Sequence, residues 1–191
     1  MASLVIHQII GEKYCELNNI AHKQELLKGN ISPDILPNKE ESHYKTPRPQ
    51  KIYLDIIKDR VNLSAFCKDK KLVDDYTCGY FLHLVTDYIF YNILIIGSDK
   101  FQEFCSAPPE ISSAKMYKEY DRIAYHLLST FPNTDISRLP KNTTTTINED
   151  LTIFNKTELL KFIEICSKLD LKQIYKDISN NDYTTLNSIV F

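Results

Sequence analysis

No Cys-x-x-Cys pair occurs in this chain. Its five cysteines, Cys15, Cys67, Cys78, Cys105 and Cys166, form an odd and scattered set, which argues against a thiolate zinc site and against a dithiol redox motif. They read as small apolar core side chains. Positive charge is not in excess either: 23 Lys and Arg against 25 Asp and Glu give a formal charge of −2, so no diffuse basic field holds a phosphate backbone. Stable nucleic-acid binding is not expected. Long hydrophobic runs are missing, because the longest apolar stretch, Tyr88–Gly97, is interrupted by Tyr and Asn and falls short of the ~18 residues that span a bilayer. The segment Met1–His7 lacks a basic region, and its apolar run is shorter than the ~7–15 residues of a signal-peptide core. A cytoplasmic protein is the expectation. Sustained two-residue alternation, internal repeats and low-complexity blocks are also absent.

What remains is helical spacing. The length of 191 residues suits one domain, and a chain of that size buries about 70% of its unfolded surface without needing a disulfide or metal to be stable. Leu4, Ile6, Ile9, Ile10, Tyr14 and Leu17 recur at three and four behind Ser3, a good N-cap, which predicts a helix over about 3–18. A second helix, about 20–28, is expected to stop at Gly29-Asn30, leaving residues 30–50, with Pro33, Pro37, Pro47 and Pro49, as a loop. Further helices are expected at about 50–60, 72–97, 109–130, 155–168, 171–178 and 181–189, with Leu159, Leu160, Ile163, Ile165 and Leu169 as a core stripe. The run Asn142–Ile147 has strand propensity but reads as an exposed connection. The fold class is all-α: a single multi-helix bundle, with a site-bearing half at 1–97 and a helical extension at 98–191.

His83 and Asp87 lie four apart in the most apolar predicted helix, so both project from one face, one turn apart, as metal ligands do. An unpaired carboxylate there would be costly, so Asp87 needs a partner. Gly79 sits one turn back, and a mid-helix glycine implies the close approach of another helix. Asp34 and His43 flank a Pro-stiffened segment. Together Asp34, His43, His83 and Asp87 make an oxygen and nitrogen donor set suited to Zn²⁺, with Mn²⁺ or Fe²⁺ possible, and His7 adds a ligand for a second ion bridged by Asp87. Glu119, Asp121 and His126 are weaker additions, and His22 reads as a solvated helix residue.

The order His7, Leu27–Asp34, Ser42-His43-Tyr44 and Gly79-Tyr-Phe-Leu-His83-Leu-Val-Thr-Asp87, covering roughly residues 4–95, resembles the zinc-dependent phospholipase C family and its single-strand-nuclease relatives. The resemblance implies an all-helical protein that hydrolyses phosphodiesters at a zinc cluster. It also implies that Asp34, His43, His83 and Asp87 form one metal site, with Asp87 reaching a second ion beside His7. The chain departs from the family in lacking the N-terminal Trp that ligates zinc and in having only His126 after His83. One or two ions are therefore expected.

A bound metal would lower the pKa of water from 15.7 to about 7, and hydrolysis of a phosphoester follows. Asp34 and Asp87 are the catalytic candidates, placed to orient the attacking water. Tyr44, Tyr80 and Thr86 are candidates to hold the imidazoles. Lys45, Arg48 and Lys51 either meet a phosphate or form a solvated face. A small soluble phosphoester or a phospholipid head group is the expected partner, although no clear amphipathic membrane face is visible. The competing expectation is a non-catalytic protein whose closed or vestigial metal site orders residues 29–50 while another surface binds a partner. A His-Asp phosphohydrolase is disfavoured, since no His is followed by Asp.

Overall fold

A computed structural model describes residues 2–45, 61–91, 109–139 and 149–189. Nine α-helices appear among these residues, with no strand: α1 (Leu4–Leu17), α2 (Lys23–Ile35), α3 (Lys39–Ser42), α4 (Leu63–Asp69), α5 (Asp75–Ile89), α6 (Pro109–Thr130), α7 (Lys156–Ser167), α8 (Leu171–Ser179) and α9 (Thr184–Asn187). The all-α expectation holds at this level. No helix among the described residues is long and apolar enough to cross a membrane. The expected helix at 50–60, the end of the 72–97 helix, the Asn142–Ile147 run, Cys105, Arg48 and Lys51 lie outside the described residues.

Local chemistry sets most of the helix starts. Ser3 caps α1 by accepting from the Ile6 amide, as its position in the sequence suggests. Asp74 opens α5 with a capping box, its side chain taking the Thr77 amide while the Thr77 hydroxyl reaches back. Pro109 begins α6, where a missing N–H costs nothing. Asn155 and Asp170 cap α7 and α8.

The second helix departs from expectation. It does not stop at Gly29-Asn30 but runs to Ile35 with Pro33 inside its last turn. Neither Gly29 nor Asn30 takes a positive φ, so the left-handed stop does not form. The reason is packing: α2 lies along α5 as the most extensive helix pair. A Cβ on Gly29 would meet the Tyr76 carbonyl oxygen at 2.0 Å, and one on Gly79 would meet the Leu26 carbonyl oxygen at 2.0 Å. The two backbones touch where side chains are missing. Gly79 thus has the role its position implied, whereas Gly29 is a contact residue rather than a terminator.

The core is one hydrophobic cluster running from Ala2 to Leu186. Helix α5 is buried nearly all round, with Phe81, Leu82, Leu84, Val85 and Ile89 fully inside. Helix α7 packs on α1 and buries Leu159, Phe162, Ile163 and Cys166, Phe162 lying against Phe90, while Leu160 and Ile165 are only half-buried. Leu17, expected inside, is exposed. Cys15 and Cys166 are buried, Cys67 and Cys78 half-buried, and burial pushes the Cys15 thiol up to about 11.

Candidate metal centre

Four segments converge on one buried point. Helix α1 brings His7, the end of α2 brings Asp34, the C-cap of α3 brings His43, and α5 brings His83 and Asp87. The four histidine and aspartate residues other than Asp34 are fully buried, and the Asp34 side chain keeps 5% exposure. Asp34 belongs to the last turn of a helix rather than to a loop, because α2 continues past its expected stop. His43 follows a one-turn helix whose start is capped by Asn38.

The donor atoms face each other. His43 Nε2 lies 3.2 Å from His83 Nε2, 3.6 Å from Asp34 Oδ1 and 3.6 Å from Asp87 Oδ2; His83 Nε2 lies 3.7 Å from Asp87 Oδ2. Donors bonded to zinc at about 2.0–2.1 Å in a tetrahedron stand about 3.3 Å apart, and these four of its six edges lie within a few tenths of an ångström of that spacing. Both imidazoles have their other nitrogen engaged. His83 Nδ1 sits 2.7 Å from the Asn30 carbonyl oxygen, and His43 Nδ1 sits 3.0 Å from that of Lys39. A carbonyl can only accept, so each Nδ1 carries a proton, and a ring in its neutral form directs an Nε2 lone pair inward. Two lone pairs 3.2 Å apart beside two carboxylates repel unless a proton or a cation lies between them.

His7 adds a fifth donor. Its ring stacks on His83 with centroids 3.7 Å apart, and its Nε2 stands 3.3 Å from Asp87 Oδ1, where the Ala2 amide also donates at 2.6 Å. Both His7 nitrogens and Asp87 Oδ2 are buried without a hydrogen-bond partner among the described residues. Native proteins rarely leave such atoms orphaned unless an ion or water serves them. The donors fall into two overlapping sets, His7/His83/Asp87 and Asp34/His43/His83, each with ligand atoms within 4.8 Å of one another.

Burial and charge set the protonation. Burial first, and then the charge of His7, pushes the His83 imidazole down to about 3, so it is neutral and free to ligate. Burial works to raise both carboxylates, but the hydrogen bond from His43 and the other imidazoles outweigh it at Asp34, and the terminal amino group and then His7 and His83 outweigh it at Asp87, so both lie below the usual carboxylate range. A pH dependence follows. Between pH 6.5 and about 3 the unfolded chain protonates His83 while the folded protein does not, so stability falls as pH falls, by up to about 1.4 kcal/mol per pH unit from this group. The depressed carboxylates act in the same direction at lower pH. Urea midpoints of metal-free protein should drop steadily from pH 7 to 4.5; a flat profile contradicts the neutral, buried His83.

Several sequence candidates lie elsewhere. Glu119 is fully buried, but it accepts the amides of Thr152, Ile153 and Phe154 at 2.8, 2.7 and 3.2 Å and bonds Arg122 and the Thr152 hydroxyl. It anchors residues 152–154 rather than a metal. His126 Nε2 meets the Glu149 carbonyl, and neither it nor Asp121 joins a donor set among the described residues. Glu119→Ala should strand those three amides, at ~1 kcal/mol or more each, lowering Tm by on the order of 10 °C with zinc affinity unchanged. A thermal melt beside a zinc titration checks it.

Around the imidazoles, Tyr80 donates to the Ser42 carbonyl at 2.5 Å, and Ser42 Oγ lies 3.0 Å from His43 Nδ1. Tyr44 instead bonds Asp69 and takes a positive φ of 50°, turning the chain sharply after His43. Thr86 is buried with no hydrogen bond to an imidazole among the described residues. Lys45 pairs with Glu40, while Lys39, not singled out from the sequence, reaches Asp34 Oδ1 at 3.3 Å. His22 is exposed, as expected. The actual holders of the rings are the main-chain carbonyls of Asn30 and Lys39, which no residue-type pattern could disclose. No protein-family model, curated protein or solved structure matches this chain.

Proposed function

We propose that this protein is a metal-dependent phosphoester hydrolase that holds a divalent ion, zinc by donor chemistry, between Asp34, His43, His83 and Asp87. The observation that carries the metal reading is the facing pair of Nε2 lone pairs, 3.2 Å apart, with both Nδ1 atoms committed to carbonyls. Borderline nitrogen and carboxylate oxygen donors suit Zn²⁺, and Mn²⁺ or Fe²⁺ would accept the same set. When bound, the ion supplies a Lewis acid that makes hydroxide available near neutral pH. His43 and His83 bind through fixed tautomers, and Asp87 presents one oxygen to each side, Oδ2 to these imidazoles and Oδ1 to His7. His7 is a donor beyond the four of one tetrahedral zinc, and with Asp87 and His83 it offers a place for a second ion.

Asp34 marks the edge nearest solvent, and its Oδ1 faces the Lys39 ammonium. A phosphoryl group reaching the centre there would meet that ammonium, and Asp34 or Asp87 would orient the attacking water. A small soluble phosphoester or a phospholipid head group fits this charge pattern. The resemblance to the zinc-dependent phospholipase C family over residues 4–95 supports the same reading. The rival reading, a closed structural site, draws on the complete burial of His43, His83 and Asp87.

Element analysis of untagged protein, followed by assay on bis-p-nitrophenyl phosphate after chelation and after zinc restoration, separates the two. Stoichiometric zinc with activity that leaves and returns with the metal is expected. Stoichiometric zinc with no hydrolysis favours the closed site, and no bound metal removes both.

A further inference from the structure

We infer that Asn30 is the positioning residue of the metal centre, clamping His7 and His83 against each other where α1, α2 and α5 meet. The inference rests on the metal-binding reading above. Asn30 is fully buried, and it touches both helices that carry the stacked rings. Its side-chain Nδ2 donates to the His7 carbonyl at 2.5 Å, and its own carbonyl accepts from His83 Nδ1 at 2.7 Å. One residue therefore fixes the backbone that carries His7 and the tautomer and tilt of His83.

The glycines are arranged around it. A Cβ on Gly11 would stand 2.6 Å from Asn30 Nδ2, and one on Gly79 would stand 3.0 Å from the Asn30 amide nitrogen. Gly29 precedes it in sequence and admits the Tyr76 carbonyl. Three of the chain's four glycines thus lie mid-helix, where glycine is unfavourable, and all three surround this residue. Gly11 stands one turn beyond His7 on α1, so its bare backbone is what lets the amide reach the His7 carbonyl. Asn30 Oδ1 is buried without a hydrogen-bond partner among the described residues, which marks the amide as kept for its donor end. Aspartate would place two acceptors face to face there, and an apolar side chain would leave the His7 carbonyl uncontacted.

Cobalt(II) titration of the full chain, read by its visible d–d band, tests the assignment, with far-UV circular dichroism to confirm folding. Asn30→Ala should bind Co²⁺ about 10–100-fold more weakly, with a shifted band, as loss of a ligand's outer partner predicts. Gly11→Ala, which keeps the amide but denies it room, should do the same and serves if Asn30→Ala does not fold. The double variant should be little weaker than Asn30→Ala alone, since the side chain that the new Cβ would strike hardest is gone and the remaining neighbour, Leu27 Cδ2 at 3.0 Å, is the flexible end of a side chain. Gln8→Ala removes a buried residue of α1 bonded to Glu12, and should leave affinity and band unchanged. Wild-type affinity and band in the folded Asn30 or Gly11 variant overturns the assignment, as does an equal loss in Gln8→Ala or additive losses in the double variant. Each of those results leaves the metal reading standing. Absence of a Co²⁺ band in the unaltered protein removes the metal reading and this assignment together.

Discussion

Asp87→Ala is expected to abolish stoichiometric metal binding and phosphodiesterase activity in one step. Asp87 serves both sides of the donor cluster, with Oδ2 at 3.6 and 3.7 Å from the His43 and His83 nitrogens and Oδ1 at 3.3 Å from His7. Among the described residues the other carboxylate of the cluster is Asp34, which approaches from α2 and contacts His43, so it does not stand in for Asp87 beside His7. The alanine variant also leaves the Ala2 amide without its 2.6 Å acceptor in a buried site. Some loss of stability, on the order of 1–3 kcal/mol, therefore accompanies the loss of metal. Asp87→Asn separates the two effects: it keeps an acceptor for the Ala2 amide while removing the charge that draws the cation. Metal content by element analysis and hydrolysis of bis-p-nitrophenyl phosphate should both fall to background in either variant, whereas His22→Ala should change neither. Full metal occupancy in Asp87→Ala contradicts the site.

Gly79→Ala is expected to be, with Gly29→Ala, among the most damaging single methyl additions at the described residues. Its Cβ would lie 2.0 Å from the Leu26 carbonyl oxygen, and the obstacle is helix backbone, which cannot swing aside. The helices α2 and α5 would have to part where Asp34 and the His83/Asp87 pair come together. Overpacking of this kind costs about 1–3 kcal/mol and occasionally more, and at roughly 2–4 °C per kcal/mol a fall in Tm of about 10 °C is expected. The same parting should weaken zinc binding, because the donors on α2 and α5 would separate. A melt with and without zinc reads both effects. A variant as stable as the parent would show that the helices do not cross so closely.

Much of this centre was legible because residue types carried it. His83 and Asp87 read as a pair from their four-residue spacing, Gly79 read as a close approach, and Ser3 read as a cap; each depends on one property of one side chain. Where packing overrode local preference, the sequence misled. Gly29-Asn30 and Pro33 are good stop signals in isolation, yet contact with α5 holds the chain helical through them. Glu119 looked like a spare ligand, and only the fold reveals three amides turned toward it. The carbonyls that fix the histidine tautomers belong to Asn30 and Lys39, and every residue has a carbonyl. The short helices α3 and α4 offered too few residues to show a period.

The most direct test of the metal centre is an anomalous difference map from crystals grown with zinc, recorded on both sides of the zinc absorption edge. The account predicts a peak enclosed by Asp34 Oδ1, His43 Nε2, His83 Nε2 and Asp87 Oδ2, present above the edge and absent below it. A map with no peak among those atoms would contradict it.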